Sequence, residues 1–319
     1  MRKVIGIGET VLDIIFRGHT PIKAVPGGSA FNAIISIGRM GVPAAFISET
    51  GNDRIGLWVR EFLEENNVNA KDVCVFPDSK SPLSLAFLDE QNNAEYLFYK
   101  DHPHDRIDFQ YPEIHENDIV IFGSFFAINP AVRPQVAAFL DYAHQKGAIL
   151  YYDLNYRSSH KNDLMKVTPA IIENLELSDI VRGSDEDFEI MYKKKTADEV
   201  YHSEISFYTH NFIYTQGSRP VELRAEGGIS KQYEVKSTAT VVSTIGAGDN
   251  FNAGLVYGLI KYGITRADIK YGIKEEQWDR IIDCAMQFSA EVCGSMDNYV
   301  SNEFASKFVS SSNESATRI

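Results

Sequence analysis

The sequence predicts an α/β fold built on a mostly parallel sheet covered by helices on both faces. Three observations predict it. From Asp118 to Val181 short apolar runs alternate with helical stretches. Towards the C-terminus a β-branched run meets an amphipathic helix through the glycine-rich stretch Ser243 to Gly254. Between βα units, the strand patterns Leu83 to Leu88 and Ala94 to Tyr99 flank the polar turn Asp89 to Asn93, a hairpin set apart from that alternation.

With 319 residues, 44% hydrophobic and 24% charged, the chain can bury a large core, and no repeat or linker divides it. A single domain over residues 1–319 is expected. A formal net charge of −13 argues against nucleic acid as a partner. Cys74, Cys284 and Cys293 are too scattered for a disulfide framework or a Cys-x-x-Cys metal site. The apolar run at residues 4–8 is cut by Glu9 and Asp13, and nothing approaches membrane-spanning length, so a cytoplasmic protein without membrane contact is expected.

Taken in order, Val4 to Gly8 reads as a buried strand. Its Gly-x-Gly would need a helix straight afterwards to be a dinucleotide site, but Val11 to Phe16 is β-branched and heads to a turn at Arg17-Gly18-His19. Pro26 to Asn32 opens a helix with apolar positions Ile34, Ile35, Ile37 and Met40, stopped by Gly41-Val42-Pro43. The later alternation runs through strand Ile119 to Phe122, helix Pro134 to Lys146, strand Ala148 to Tyr152, helix Lys166 to Leu175 and strand Asp179 to Val181. Phe212 to Tyr214 is a further apolar run, and Cys284 to Cys293 reads as an apolar helix. The tail from Ser310 has little to bury and is expected to fray.

In the central stretch, Thr238 to Val242 reads as a buried strand, and Phe251, Leu255, Leu259 and Tyr262 recur at helical spacing up to a Gly263 cap. A strand thus delivers Gly246-Ala247-Gly248-Asp249 to a helix N-terminus, where unpaired amides and the helix dipole favour an anion. Asp249 is placed either to accept a proton or simply to cap the helix, and the residues themselves do not choose between the two.

Val242 to Phe251 resembles the C-terminal signature of the ribokinase-like (PfkB) carbohydrate kinases, Asp-Thr-x-Gly-Ala-Gly-Asp-x-Phe, with Ser243 in place of the first Asp. Gly27-Gly28-Ser29-Ala30-Phe31-Asn32 resembles the N-terminal signature of the same family, and Gly51 to Gly56 its Gly-x-Asp-x-x-Gly. Asp153-Leu154-Asn155-Tyr156-Arg157 is similar to the Asp-x-Asn-x-Arg of its fructokinase-like branch, where Lys100 takes the place of a common Arg. The resemblance implies a three-layer α/β/α fold, with a small β-sheet lid from about residues 13–26 and 82–107.

It also implies an ATP-dependent sugar kinase. Asp249 would take the proton of a sugar hydroxyl, and the amides of Gly246, Ala247 and Gly248 would hold the transferring phosphoryl group. Asp13, Gly27, Gly28, Asn32, Lys100, Asn155 and Arg157 would bind the sugar, expected to be fructose, a related keto sugar or a sugar acid. Ser184, Thr215, Gly217 and Ser218, with Gly246 and Gly248, would border ATP, although Pro220 replaces a usual second Gly.

Ser184 and Asp187 stand where the family has the Asn and Glu of a magnesium motif. A capped, acidic helix start gives the same letters, and both readings stay open. Mg²⁺ is expected mainly on water and the phosphates, with Asp187 reaching it through water. Ser243 lacks the charge that would offset dehydration of K⁺, so dependence on a monovalent cation should be weak. The lid offers a surface for a homodimer. A catalytically silent relative that binds sugar or nucleotide is the alternative function.

Overall fold

The computed structural model describes residues 2–89, 94–100, 111–236 and 241–316. Strand β1 (Val4–Ile7) is followed by β2 (Val11–Arg17) and β3 (Thr20–Gly27), which leave the main sheet. Helix α1 (Ser29–Arg39) leads to β4 (Ala44–Gly51), and α2 (Arg54–Glu65) to the short β5 (Val68–Asn69) and β6 (Val73–Phe76). The hairpin strands are β7 (Leu83–Leu88) and β8 (Ala94–Tyr99). Regular alternation then gives β9 (Ile119–Gly123), α3 (Arg133–Gln145), β10 (Ile149–Asp153), α4 (Leu164–Leu177), β11 (Ile180–Ser184) and α5 (Asp185–Tyr192). After the short α6 (Ala197–Val200) come β12 (Phe212–Gln216), β13 (Arg219–Ala225) and β14 (Ile229–Tyr233). The chain closes with α7 (Ala247–Lys261), α8 (Arg266–Tyr271), α9 (Glu275–Cys293) and α10 (Asn302–Ala316).

The main sheet runs β14-β13-β12-β11-β10-β9-β1-β4-β5, with β6 also on β4. It is parallel from β12 to β5 and antiparallel at β13 and β14. Its strands are apolar on both faces because both are covered. Ile119, Ile121, Ile149 and Tyr151 face a core shared with α1, α7 and α9. Their neighbours Val120, Phe122, Leu150 and Tyr152 face a second core with α3, α4 and α5. This two-residue alternation divides one sheet between two helix layers, so the expected three-layer fold is present.

The smaller sheet runs β3-β2-β7-β8. Its inner face contributes Ile15, Ala86 and Leu88 to a cluster with Ile245, which tucks the sheet against the glycine-rich turn before α7. The expected polar turn and lid bounds fall partly on residues 90–93 and 101–107, outside the described residues.

One expectation fails here. Val241 and Val242 are not in a strand: Val241 is 45% exposed, and Val242 N–H donates to the Cys293 carbonyl at 2.8 Å, which ties the segment to α9. The other residues of that expected strand, 238–240, are outside the described residues. Helix α10 runs to Ala316 and is anchored before Ser310 by Phe304 and Phe308, one turn apart, which both pack edge-on against Phe288; residues 317–319 of the expected frayed tail are outside the described residues.

Candidate active site

The chain leaves β1 in one direction across the sheet to β4, and later fills the other side with β9 and β10. Such a reversal opens a crevice beyond the carboxyl ends of the strands. A cleft lies there, and it gathers Asp13, Gly28, Asn32, Lys100, Asn155, Arg157, Gly246 and Asp249 from the expected set.

Asp13 is 5% exposed on β2, and its Oδ2 accepts from Asn298 Nδ2 at 2.9 Å. Gly27 does not line the cleft. A Cβ on it would come within 2.2 Å of Asp13 Oδ2, so this glycine is what lets β3 pass behind the carboxylate. Gly28 has φ +127° where the chain enters α1, and a Cβ there would meet the Glu9 carbonyl at 2.3 Å. Burial pushes the Asp13 carboxyl up to about 7, helped by the Asp249 and Glu9 charges and opposed by the bond from Asn298.

Asp249 lies in the first turn of α7, where its side chain does not cap the helix. Its Oδ1 accepts from Ser29 Oγ and its Oδ2 from Asn32 Nδ2, each at 2.8 Å. Helix α1 therefore aims the α7 carboxylate into the cleft. Burial raises the Asp249 pKa, while the bonds from Asn32 and Ser29 and the nearby Arg157 charge work against that rise.

Gly246, at φ +77°, starts α7 in the left-handed region, and a Cβ would meet the Asn298 carbonyl oxygen at 2.7 Å. The set of free amides at this turn differs from the expected one at Ala247. Ala247 N–H donates to the Thr244 carbonyl at 3.2 Å and closes the turn. The amides left without an acceptor among the described residues are those of Gly246, Gly248 and Asp249.

Directly behind Gly248 lies a residue that the sequence reading missed. A Cβ on Gly248 would sit 3.2 Å from Arg182 Nη2. Arg182 is 7% exposed on β11; its Nη1 donates to Asp153 Oδ1 at 3.0 Å and its Nη2 to Thr215 Oγ1 at 2.5 Å. Asp153 in turn accepts from Asn252 Nδ2 on α7 at 2.8 Å. A charged residue inside the apolar run Ile180-Val181 was the available signal.

Of the expected nucleotide residues only Gly246 lines the cleft, whereas Ser184, Thr215, Gly217, Ser218 and Gly248 lie outside its lining. Ser184 and Thr215 pair across β11 and β12, with Arg182 joining Thr215 to Gly248. Gly217, at φ +61°, and Ser218 form the exposed turn between β12 and β13. Gly246 thus lines the cleft, while Gly248 backs onto Arg182.

Asp187 does not fit a directly held metal. Its Oδ2 accepts from Ser184 N at 2.6 Å and Ser184 Oγ at 2.8 Å, completing a capping box, and its Oδ1 accepts from Tyr156 N at 2.7 Å. It is 4% exposed, and no group of three candidate metal ligands occurs among the described residues. Of the two readings of this helix start, the structure displays the cap.

The opposite end of the cleft holds further residues that the sequence reading passed over. Lys100 forms an ion pair with Glu9, and beside them the His160 ring stacks on Phe125, with centroids 3.7 Å apart. Burial and the Lys100 charge lower the His160 pKa, with the Glu9 and Asp163 charges opposing them. Asn155, in the left-handed region at φ +39°, donates from Nδ2 to Ser124 Oγ at 2.9 Å. The Arg157 guanidinium stands over the Tyr96 ring at 5.8 Å.

Residues 1–303 match the model of the pfkB family carbohydrate kinases. The chain is 29% identical over 266 residues to the 5-dehydro-2-deoxygluconokinase of Geobacillus thermodenitrificans, covering 77% of this chain and 75% of that one. It is 24% identical over 270 residues to an Arabidopsis thaliana protein named "Probable fructokinase-6, chloroplastic", covering 79% of this chain and 69% of the other. The fold is shared with the fructokinase of Vibrio cholerae in its fructose, ADP and calcium ion bound form. That match has a TM-score of 0.79 and 19% identity, and covers 97% of this chain and 99% of that one.

Proposed function

Since the chain belongs to the pfkB family of carbohydrate kinases, and so is a sugar kinase, we propose that it transfers the γ-phosphoryl group of ATP to a hydroxyl of fructose, a related keto sugar or a sugar acid. The observation that carries this reading is the carboxylate of Asp249, held by Ser29 and Asn32 at a helix N-terminus whose Gly248 and Asp249 amides have no acceptor among the described residues. A base and an anion hole one residue apart suit in-line transfer to an alcohol.

In this mechanism the acceptor lies against Asp13 and Asn32, and its reacting hydroxyl donates to Asp249. As the oxygen attacks the γ-phosphorus, Asp249 takes its proton. The bond from the γ-phosphorus to the β,γ-bridging oxygen breaks, and ADP leaves with that electron pair. The free amides of Gly246, Gly248 and Asp249 stabilise the charge on the phosphoryl oxygens, and Arg182 holds the turn that carries them. Ser184, Thr215, Gly217 and Ser218 border the nucleotide. Magnesium would accompany ATP on its phosphates.

The small sheet closes over the sugar and excludes water, which would otherwise compete as acceptor. Its outer face exposes Ile22, Leu97 and Tyr99, a surface suited to a second copy of the chain. The protein works in the cytoplasm, where ATP is supplied. A coupled ADP-release screen over ketoses, aldoses, sugar acids, sugar phosphates and nucleosides tests the reading. Release with a free ketose or sugar acid supports it, whereas release only with a nucleoside or an already phosphorylated sugar contradicts the acceptor assignment.

A further inference from the structure

On the reading of this cleft as a sugar-acceptor site, we infer that the Glu9–Lys100 ion pair makes it select an uncharged polyhydroxy acceptor and reject one bearing a carboxylate. Lys100 lies directly after β8 and Glu9 two residues after β1, so their contact joins the small sheet to the main one inside the cleft. Their side chains are 21% and 19% exposed, which leaves both heads in reach of a ligand while shielding the pair from full hydration.

The charge balance around this corner decides what it can bind. Glu9, Asp13 and Asp249 are the carboxylates lining the cleft, against Lys100 and Arg157. The Lys100 charge is already matched by Glu9. Glu49 stands close enough to both for Glu9 to raise its pKa and Lys100 to lower it, burial being the larger cause of its rise to about 7. A ligand carboxylate brought to Lys100 would displace or face Glu9, and like charges brought together at a half-buried site cost affinity. Neighbouring hydroxyls meet no such cost: Glu9 accepts from one and Lys100 donates to the other. His160, stacked on Phe125, adds a polar ring to the same wall.

Glu9 is thus the specificity-determining residue, because it cancels a lysine that would otherwise recruit an acid. The test compares fructose with 2-keto-3-deoxygluconate and 5-dehydro-2-deoxygluconate, by direct binding and by kcat/KM, in the wild type, Glu9→Gln and the double variant Glu9→Gln with Lys100→Met. Among the described residues the Glu9 side chain bonds to Lys100 at the cleft, so Glu9→Gln should leave the melting temperature within a few degrees of wild type. The wild type should favour fructose. Glu9→Gln should shift the acid-to-fructose ratio towards the acids by at least about tenfold, equivalent to about 1.4 kcal/mol, and the double variant should reverse that shift.

A wild type that favours either acid, or a ratio that Glu9→Gln leaves unchanged, overturns the inference while a sugar kinase remains. The binding measurement separates the two claims. Binding selectivity that follows Glu9 without any ADP release would keep this inference and defeat the proposed transfer to these sugars.

Discussion

Asn32 on α1 donates from Nδ2 to Asp249 Oδ2 on α7 at 2.8 Å, joining two glycine-led helices 217 residues apart in sequence. Each helix begins at a glycine with positive φ, Gly28 and Gly246, so each brings its first turn close to the cleft without a Cβ in the way. One hydrogen bond therefore relates the proposed sugar side to the proposed phosphoryl side.

The Asp13 carboxyl gives a pH dependence. Its pKa is raised from the ordinary value of 3.8 to about 7 in the folded protein. Between those values the folded state binds more protons than the unfolded state, so Asp13 makes stability fall as pH rises from about 4 to about 7. Sugar binding needs the ionised form to accept hydroxyl bonds, so kcat/KM should rise through an acidic limb with a midpoint near 7. A pH–rate profile checks this, and Asp13→Asn should lower activity and remove that limb.

Arg182 gives a stability prediction. Arg182→Met leaves Asp153 buried without its cation, which should cost about 3–5 kcal/mol and be read as a large drop in melting temperature. Adding Asp153→Asn should recover much of that stability, since the uncompensated charge is gone. If the single variant melts like the wild type, the buried pair does not hold the turn.

Ser243 predicts weak cation dependence. Its hydroxyl accepts from Ile245 N–H at 3.2 Å and the residue is 2% exposed, so it brings no charge to the loop before α7. Replacing K⁺ by a bulky organic cation at constant ionic strength should change kcat/KM by less than about tenfold. Ser243→Asp should increase the dependence, and steep K⁺ activation of the wild type would contradict the prediction.

What was legible in the sequence follows from how local its cause is. Runs such as Ile119 to Phe122 and Ala148 to Tyr152 announce parallel strands, because burial on both faces removes the polar alternation. Gly28 and Gly246 were legible because the backbone itself requires them. Bonds between distant residues leave no local pattern: Glu9 and Lys100 are 91 positions apart, Asp13 and Asn298 285. The misread strand has a nearby cause too: Val241 and Val242 carry strand propensity that the tie to α9 overrides.

The most direct test of the account is steady-state kinetics of Asp249→Asn, with the sugar and ATP each varied and folding checked by melting temperature. If Asp249 accepts the hydroxyl proton, kcat should fall by roughly 10²–10⁴-fold with a much smaller change in the KM for sugar. Asn keeps the shape but cannot take the proton, so the melting temperature should not fall. Turnover near the wild-type rate in a well-folded Asp249→Asn protein would show that Asp249 only ties α7 to Ser29 and Asn32 of α1 and would contradict the mechanism.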